Sequence, residues 1–209
     1  MSTKPMLYGY SPSTYVRTAR MVLADHNVDY DQVEINVLGG ETHLPDHIAR
    51  HPFGKVPVLD IDGMRLRETN AICRYIHETR SGTSSIPEDA KQRAKMNEAI
   101  SVYDSYGYVA MLKIAAYHLF PDFIGGPNDE ILAQAHTDTE KVMSLLMEQS
   151  GPWILGDAPS LADYFLAPVI FYVAMTPEMA RIQELPGVAA WWEAMNGHAT
   201  YKATEPVLG

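Results

Sequence analysis

The chain has 209 residues, too many for a minimal domain and enough for one large or two small ones, each with its own core. Its formal net charge of −10 argues against nucleic acid, since phosphate binding depends on a basic surface, and its single cysteine, Cys73, excludes an internal disulfide framework or a multi-cysteine metal site. No segment is apolar for long enough to span a membrane, and the first residues lack a basic region followed by an apolar run, so a cytoplasmic protein is expected.

The first predicted element is a strand from Pro5 to Tyr10, on which alternation is expected to turn one of Tyr8 and Tyr10 toward the core. The turn YSPSTYVR leads into a helix from about Thr14 to His26, and Ser13 stands where strand hands over to helix, the usual place for an N-cap. A second strand covers Asp29 to Val37, followed by a helical turn region around His43 to Arg50. His43, His47 and His51 are spaced four apart, as metal ligands on one helix face are. Pro45 interrupts that helix and His51 falls in the loop before Pro52, so no metal is expected.

The next stretch, HPFGKVPVLDIDGMRLRETNAICRYI, carries the most information. Asp62-Gly63 is a two-residue hairpin turn joining Val56–Ile61 to Met64–Arg67, where Met64 and Leu66 alternate with Arg65 and Arg67 and so bury one face. Pro57 has no backbone N–H to give to a sheet. A cis Val56-Pro57 bond would leave the N–H and C=O of Val56 to pair with something outside the sheet, and a short peptide held like an added strand is the natural candidate. Thr69 is expected to cap a helix with apolar positions Ile72, Tyr75 and Ile76. The free N–H groups of that helix suit a carboxylate and Glu68 an ammonium, which together suit an amino-acid head group. Cys73 sits inside the helix as a small hydrophobe.

The order so far is βαβ followed by ββα, the thioredoxin-like order. Composition shifts near residue 80, where RSGTSSIPE reads as a linker, and no strand pattern follows. Met96, Ile100, Tyr103, Gly107, Ala110 and Ile114 alternate spacings of four and three, which predicts one long helix with an apolar seam. Further helices are expected at Asp129 to Gln149 and Ser160 to Ala174, the latter opened by a capping box from Ser160 to Asp163, with a short terminal helix around Trp191-Trp192. No Gly-rich phosphate loop is present to support nucleotide binding.

The segments HPFGKVP and ETNAI, with LYGYSPSTYVRTARMVL, SLADYFLAPV and ELPGVAAWWEAM, resemble those of a cytosolic glutathione transferase of the serine type, phi, theta or delta-like, and the likeness spans the chain. It implies an α/β thioredoxin-like N-terminal glutathione-binding domain over 1–80, a linker over 81–88, and an all-α C-terminal helical domain over 89–209 that contributes the hydrophobic electrophile site. Glutathione is then the co-substrate, with no metal, and the family habit is a homodimer. By position Pro57 is the cis-proline, Val56 pairs with the cysteinyl backbone, and Glu68 and Thr69 complete the glutathione site, with Lys55 and His43 as further contacts.

Members of this type activate the glutathione sulfur with a serine four residues before an arginine. Ser13 stands four before Arg17 and is the expected thiolate donor, with Ser11 and Thr14 as competing hydroxyls. Tyr8 and Tyr10 are rivals, because other branches use a tyrosine for the same task. Arg17 is expected to be a structural partner in the domain interface. The electrophile is expected against Tyr10 and Pro12 on one wall and Tyr106 on the other, with Tyr103, Tyr108 and Met111 nearby. The implied reaction is conjugation of the thiolate to a hydrophobic electrophile, in a detoxifying role. The alternatives are a glutathione-dependent isomerase, an ether-cleaving enzyme, a peroxidase, or a non-catalytic glutathione-binding or interaction module.

Overall fold

Four short strands, β1 (Met6–Gly9), β2 (Asp31–Glu34), β3 (Val58–Ile61) and β4 (Met64–Arg67), form one sheet in the order β2-β1-β3-β4. The structure, a computed structural model, describes residues 4–208. Residues 1–3 and 209, the outermost residues of the two expected domains, lie outside the described residues. Two compact units are distinguished, one running to Ser84 and resuming at Ala199, the other from Ser85 to His198.

In the first unit β1 and β2 run parallel, joined by α1 (Thr14–Asp25), while β3 is antiparallel to both β1 and β4. Helix α1 packs against α3 (Thr69–Thr79), and Val16, Ala19 and Leu23 with Ile72 and Ile76 form the core above Leu7, Val58 and Leu59. The β3–β4 turn is made by Asp62 and Gly63 at φ 51° and 76°, the left-handed pair that a twisted two-residue hairpin requires. Tyr8 and Tyr10 are both half-buried, while Leu7 and Gly9 are buried. The expectation that one tyrosine faces the core is therefore wrong: alternation on β1 gives the core face to Leu7 and Gly9 and turns Tyr8 away, and Tyr10 lies beyond the end of the strand.

The loop after β2 contains a single 3₁₀ turn, Glu41–His43, and the short α2 (Pro45–Arg50). After Thr79 the chain is helical. The second unit holds α4 (Ala90–Val102), α5 (Tyr108–Leu119), α6 (Asp129–Leu146), α7 (Leu161–Val173), α8 (Met179–Gln183) and α9 (Val188–Gly197). The long helix expected through Met96 and Ile114 is interrupted by a π turn at Tyr103–Gly107. The apolar seam survives the interruption, so periodicity gives no sign of it. A Cβ at Gly107 would lie 3.0 Å from Val142 Cγ1, so the bare backbone lets the wide turn approach α6.

Asp163, in the first turn of α7, is the polar centre of this unit. It accepts from Ser160 N and Oγ at 2.7 and 2.8 Å, Ile154 N at 3.0 Å and Trp191 Nε1 at 2.9 Å. Burial pushes its carboxyl up, against the pull of those four donors. Residues 199–208, grouped with the helical domain on sequence grounds, lie in the first unit, where α10 (Ala199–Ala203) packs on α1. Among the described residues no helix is long and apolar enough to cross a membrane.

Candidate active site

Strand register gathers the expected site residues of the first unit at one end of the sheet. Tyr8 of β1 lies opposite Val58, which in turn lies opposite Arg67 of β4. The turn leaving β1, the Val56-Pro57 step entering β3 and the Glu68-Thr69 step leaving β4 therefore share that end.

The Val56-Pro57 bond is cis. Val56 is half-buried and makes no backbone hydrogen bond among the described residues, so its N–H and C=O are a one-residue strand edge. Three histidines brace the loop before it. His47 Nε2 donates to the C=O of Lys55 at 2.9 Å from a buried ring. The Phe53 N–H reaches His51 Nδ1 at 3.4 Å, which puts the proton of that ring on Nε2, 3.7 Å from Glu68 Oε1. Burial pushes the His51 ring below its ordinary pKa, which favours its neutral form. His43 covers Gly54, where an added Cβ would meet its Nδ1 and the Thr42 C=O, each at 3.1 Å, and where φ is +60°. Lys55 and His43 are themselves exposed. Among the described residues no cluster of His, Cys, Asp and Glu could hold a metal ion.

The expectation that Thr69 caps α3 is wrong: Glu68 is the N-cap and Thr69 the first helical residue. The reason is conformational. Glu68 takes φ 67° and ψ 120°, a strained region for a residue with a side chain, and no side chain closes the end of the helix. The first-turn N–H groups of α3 thus remain available to an acceptor, and the Glu68 carboxylate beside them is 77% exposed.

The three candidate hydroxyls differ in what they already do. Ser13 caps α1, with its Oγ accepting from Val16 N at a long 3.5 Å and its own proton given to no described residue. Ser11 Oγ donates to Glu34 Oε2 at 3.0 Å, and its N–H to Oε1 at 2.7 Å. Thr14 is 6% exposed, its Oγ1 shut away from solvent. A hydroxyl that accepts at a cap keeps one donor for a ligand, so capping and sulfur binding by Ser13 are compatible. Tyr8 is engaged elsewhere, under the Arg50 guanidinium at 4.6 Å.

Tyr10 and Pro12 are half-buried in the same turn, and Tyr106 is 69% exposed on the π turn of the second unit. Tyr103 and Met111 belong to the core of that unit, at 1% and 0% exposure. Arg17, expected in the domain interface, finds its partner Tyr201 within the first unit. Cys73 is buried and its thiol is pushed far up by desolvation. Sequence reasoning missed the bracing by His47 and His51 and the hold of Glu34 on Ser11. Only the repeated histidine spacing hinted at the first, and nothing at the second.

Comparison with known proteins shows the family of the chain. Residues 4–78 match the family described as glutathione S-transferase, N-terminal domain, and residues 129–194 the glutathione S-transferase C-terminal domain. The chain is 26% identical over 208 residues to glutathione S-transferase F13 of Arabidopsis thaliana, covering 97% of this chain and 95% of that one. It is 30% identical over 174 residues to a Drosophila melanogaster protein named "Probable maleylacetoacetate isomerase 1", covering 81% and 69%. Glutathione S-transferase I from maize, solved with an atrazine glutathione conjugate, superposes with a TM-score of 0.82 at 25% identity, covering 97% and 96%. An outward-facing Val56 edge, an open α3 N-terminus and a serine-capped α1 thus occur in a chain whose two halves both match one family, and this chain belongs to the glutathione S-transferase family.

Proposed function

We propose that the protein joins the thiolate of glutathione to hydrophobic electrophiles, with Ser13 donating the hydrogen bond that stabilises the sulfur anion. Glutathione lies extended, its cysteinyl backbone paired with Val56, its γ-glutamyl head on Glu68 and the α3 N-terminus, and its far carboxylate near Lys55 and His43. The observation that carries the assignment is the division among three hydroxyls. Ser11 has given its proton to Glu34, Thr14 is shut from solvent, and Ser13 keeps its proton at the open end of α1.

Magnitudes support a single donor. Lowering a thiol pKa from about 8.5 by about two units needs roughly 2.7 kcal/mol of preference for the anion. One hydrogen bond to a charged acceptor supplies about 1.5–3 kcal/mol, and a helix N-terminus about 0.3–1 kcal/mol more. Helix α1 has no acidic residue in its first turn to oppose this. Tyr10 and Pro12 supply apolar surface in the turn that carries Ser13, and Tyr106 is an exposed aromatic of the second unit proposed to meet the electrophile. The reading includes a cytoplasmic homodimer with a detoxifying role, after the habit of the family.

The test is the ultraviolet thiolate absorbance of bound glutathione near neutral pH, with and without Ser13→Ala, together with conjugation rates across aromatic halides, epoxides, hydroperoxides and maleyl compounds. Loss of the thiolate signal and a fall in kcat of about 10- to 100-fold are expected for Ser13→Ala. Binding with no thiolate in the unsubstituted protein would favour a non-catalytic module. Turnover of maleyl compounds alone would favour the isomerase named for the Drosophila relative.

A further inference from the structure

The segment that rejoins the first unit at Ala199 grips the helix that begins at Ser13. Arg17, 2% exposed, donates from Nη2 to the C=O of Tyr201 at 2.9 Å, and its guanidinium carbon lies 3.9 Å from the centre of the Tyr201 ring. Two turns further along α1, Asp25 Oδ1 accepts from Thr200 Oγ1 at 2.5 Å. Adjacent residues of α10 therefore hold α1 at two points along its length.

The same Arg17 closes the first turn of α1 with its backbone. Its N–H donates to the C=O of Ser13 at 2.9 Å. Among the described residues the Ser13 hydroxyl is otherwise fixed only by the long 3.5 Å contact to Val16 N, so its aim follows the placement of the helix end. We propose that α10 is a positioning element for the thiolate site, in which Arg17 and Tyr201 fix the first turn of α1 so that the Ser13 donor is aimed before glutathione arrives. This deepens the Ser13 reading and rests on it.

The chemistry of the grip explains the residue types. Only a guanidinium offers a flat face to stack on a ring together with an in-plane N–H for a carbonyl; a lysine ammonium is a point charge that satisfies one of these. Donors that stabilise a developing or bound anion work by being oriented in advance, and small displacements cost much of their effect. Neither Arg17 nor Tyr201 needs to touch the sulfur.

The test uses the full chain and reads three quantities: the pH titration of bound glutathione thiol by ultraviolet absorbance, kcat and KM for glutathione, and the thermal midpoint. Tyr201→Leu and Arg17→Lys are each expected to raise the apparent thiol pKa by about half to one unit and to lower kcat about threefold to tenfold at neutral pH. Thr200→Val shifts both in the same direction by less. KM for glutathione stays within about twofold, because Val56, Glu68 and the α3 N-terminus are untouched. If the variants lose thermal stability while their thiol titrations and kcat match the unsubstituted protein, α10 is only structural and the proposal falls. Should Tyr201→Leu fail to fold, Arg17→Lys and Thr200→Val decide by the same readings. Ser13→Ala is run beside them. Thiolate loss there but not in the α10 variants overturns the positioning role alone, whereas no loss in Ser13→Ala overturns both it and the serine assignment.

Discussion

Ser11 gives both its backbone N–H and its hydroxyl to the carboxylate of Glu34, at 2.7 and 3.0 Å, and Gln32 Nε2 adds a bond to the same Ser11 oxygen at 3.0 Å. The turn that carries the proposed sulfur donor is thereby tied to the end of β2. Ser13 N donates to Tyr10 O at 2.8 Å, so the tie at Ser11 sits inside the turn that sets Ser13.

Because the Ser11–Glu34 bonds are solvent-exposed, their loss is expected to be tolerated. Ser11→Ala and Glu34→Ala should each lower kcat by about twofold to fivefold while bound glutathione still shows thiolate absorbance. Ser13→Ala should remove that absorbance. A larger loss of thiolate in Ser11→Ala than in Ser13→Ala would move the donor to Ser11.

Acid sensitivity is expected from His51 and His77, both pushed below the ordinary value of 6.5 chiefly by burial. Between 6.5 and their folded values the unfolded chain binds more protons than the folded one, so unfolding free energy rises with pH there and falls on acidification. Asp60, held low by Arg65, and Glu178, held low by His118 and His136 against its burial, act only below about 4.5. Through these two histidines the urea midpoint should therefore decline on acidification below about pH 6.5. His51→Gln should reduce the slope of that decline; an unchanged slope would show that His51 titrates alike in both states.

Local signals explain what could be read without coordinates. The Asp62-Gly63 turn, the proline at 57 and the serine before α1 each act within a few residues, and each marks its own element. The features that escaped are long-range or conformational. Arg17 and Tyr201 are 184 residues apart, Ser11 and Glu34 are 23 apart, and no periodicity connects either pair. Glu68 displaced Thr69 as the cap because it adopts a positive φ that its own preferences oppose. The π turn escaped because Gly107 keeps the seam buried through it.

Asp163 is expected to be a stability residue of the helical unit and not a participant in the chemistry. Asp163→Ala strands the Ser160 and Ile154 N–H groups, the Ser160 hydroxyl and the Trp191 indole N–H inside the protein. A cost of about 3–5 kcal/mol follows, and about 1–3 kcal/mol for Asp163→Asn, which keeps one accepting oxygen. Denaturant unfolding followed by tryptophan fluorescence measures both. The thiol pKa of glutathione bound to the folded protein should not move; a shift would give Asp163 a part in the active site.

Cys73 tests whether any cysteine chemistry contributes. It is 0% exposed on α3, and burial drives its thiol far above the ordinary range, so almost no thiolate exists at neutral pH to attack a substrate or reagent. A thiol reagent should label it only at the rate at which the first unit opens, and labelling should track unfolding as denaturant is added. Cys73→Ala should leave thiolate formation and conjugation within about twofold while costing roughly 1 kcal/mol of stability for the lost packing. Rapid labelling of the native protein with parallel loss of turnover would instead place a reactive thiol near the site, and the serine-based chemistry would have to be abandoned for a mixed-disulfide one.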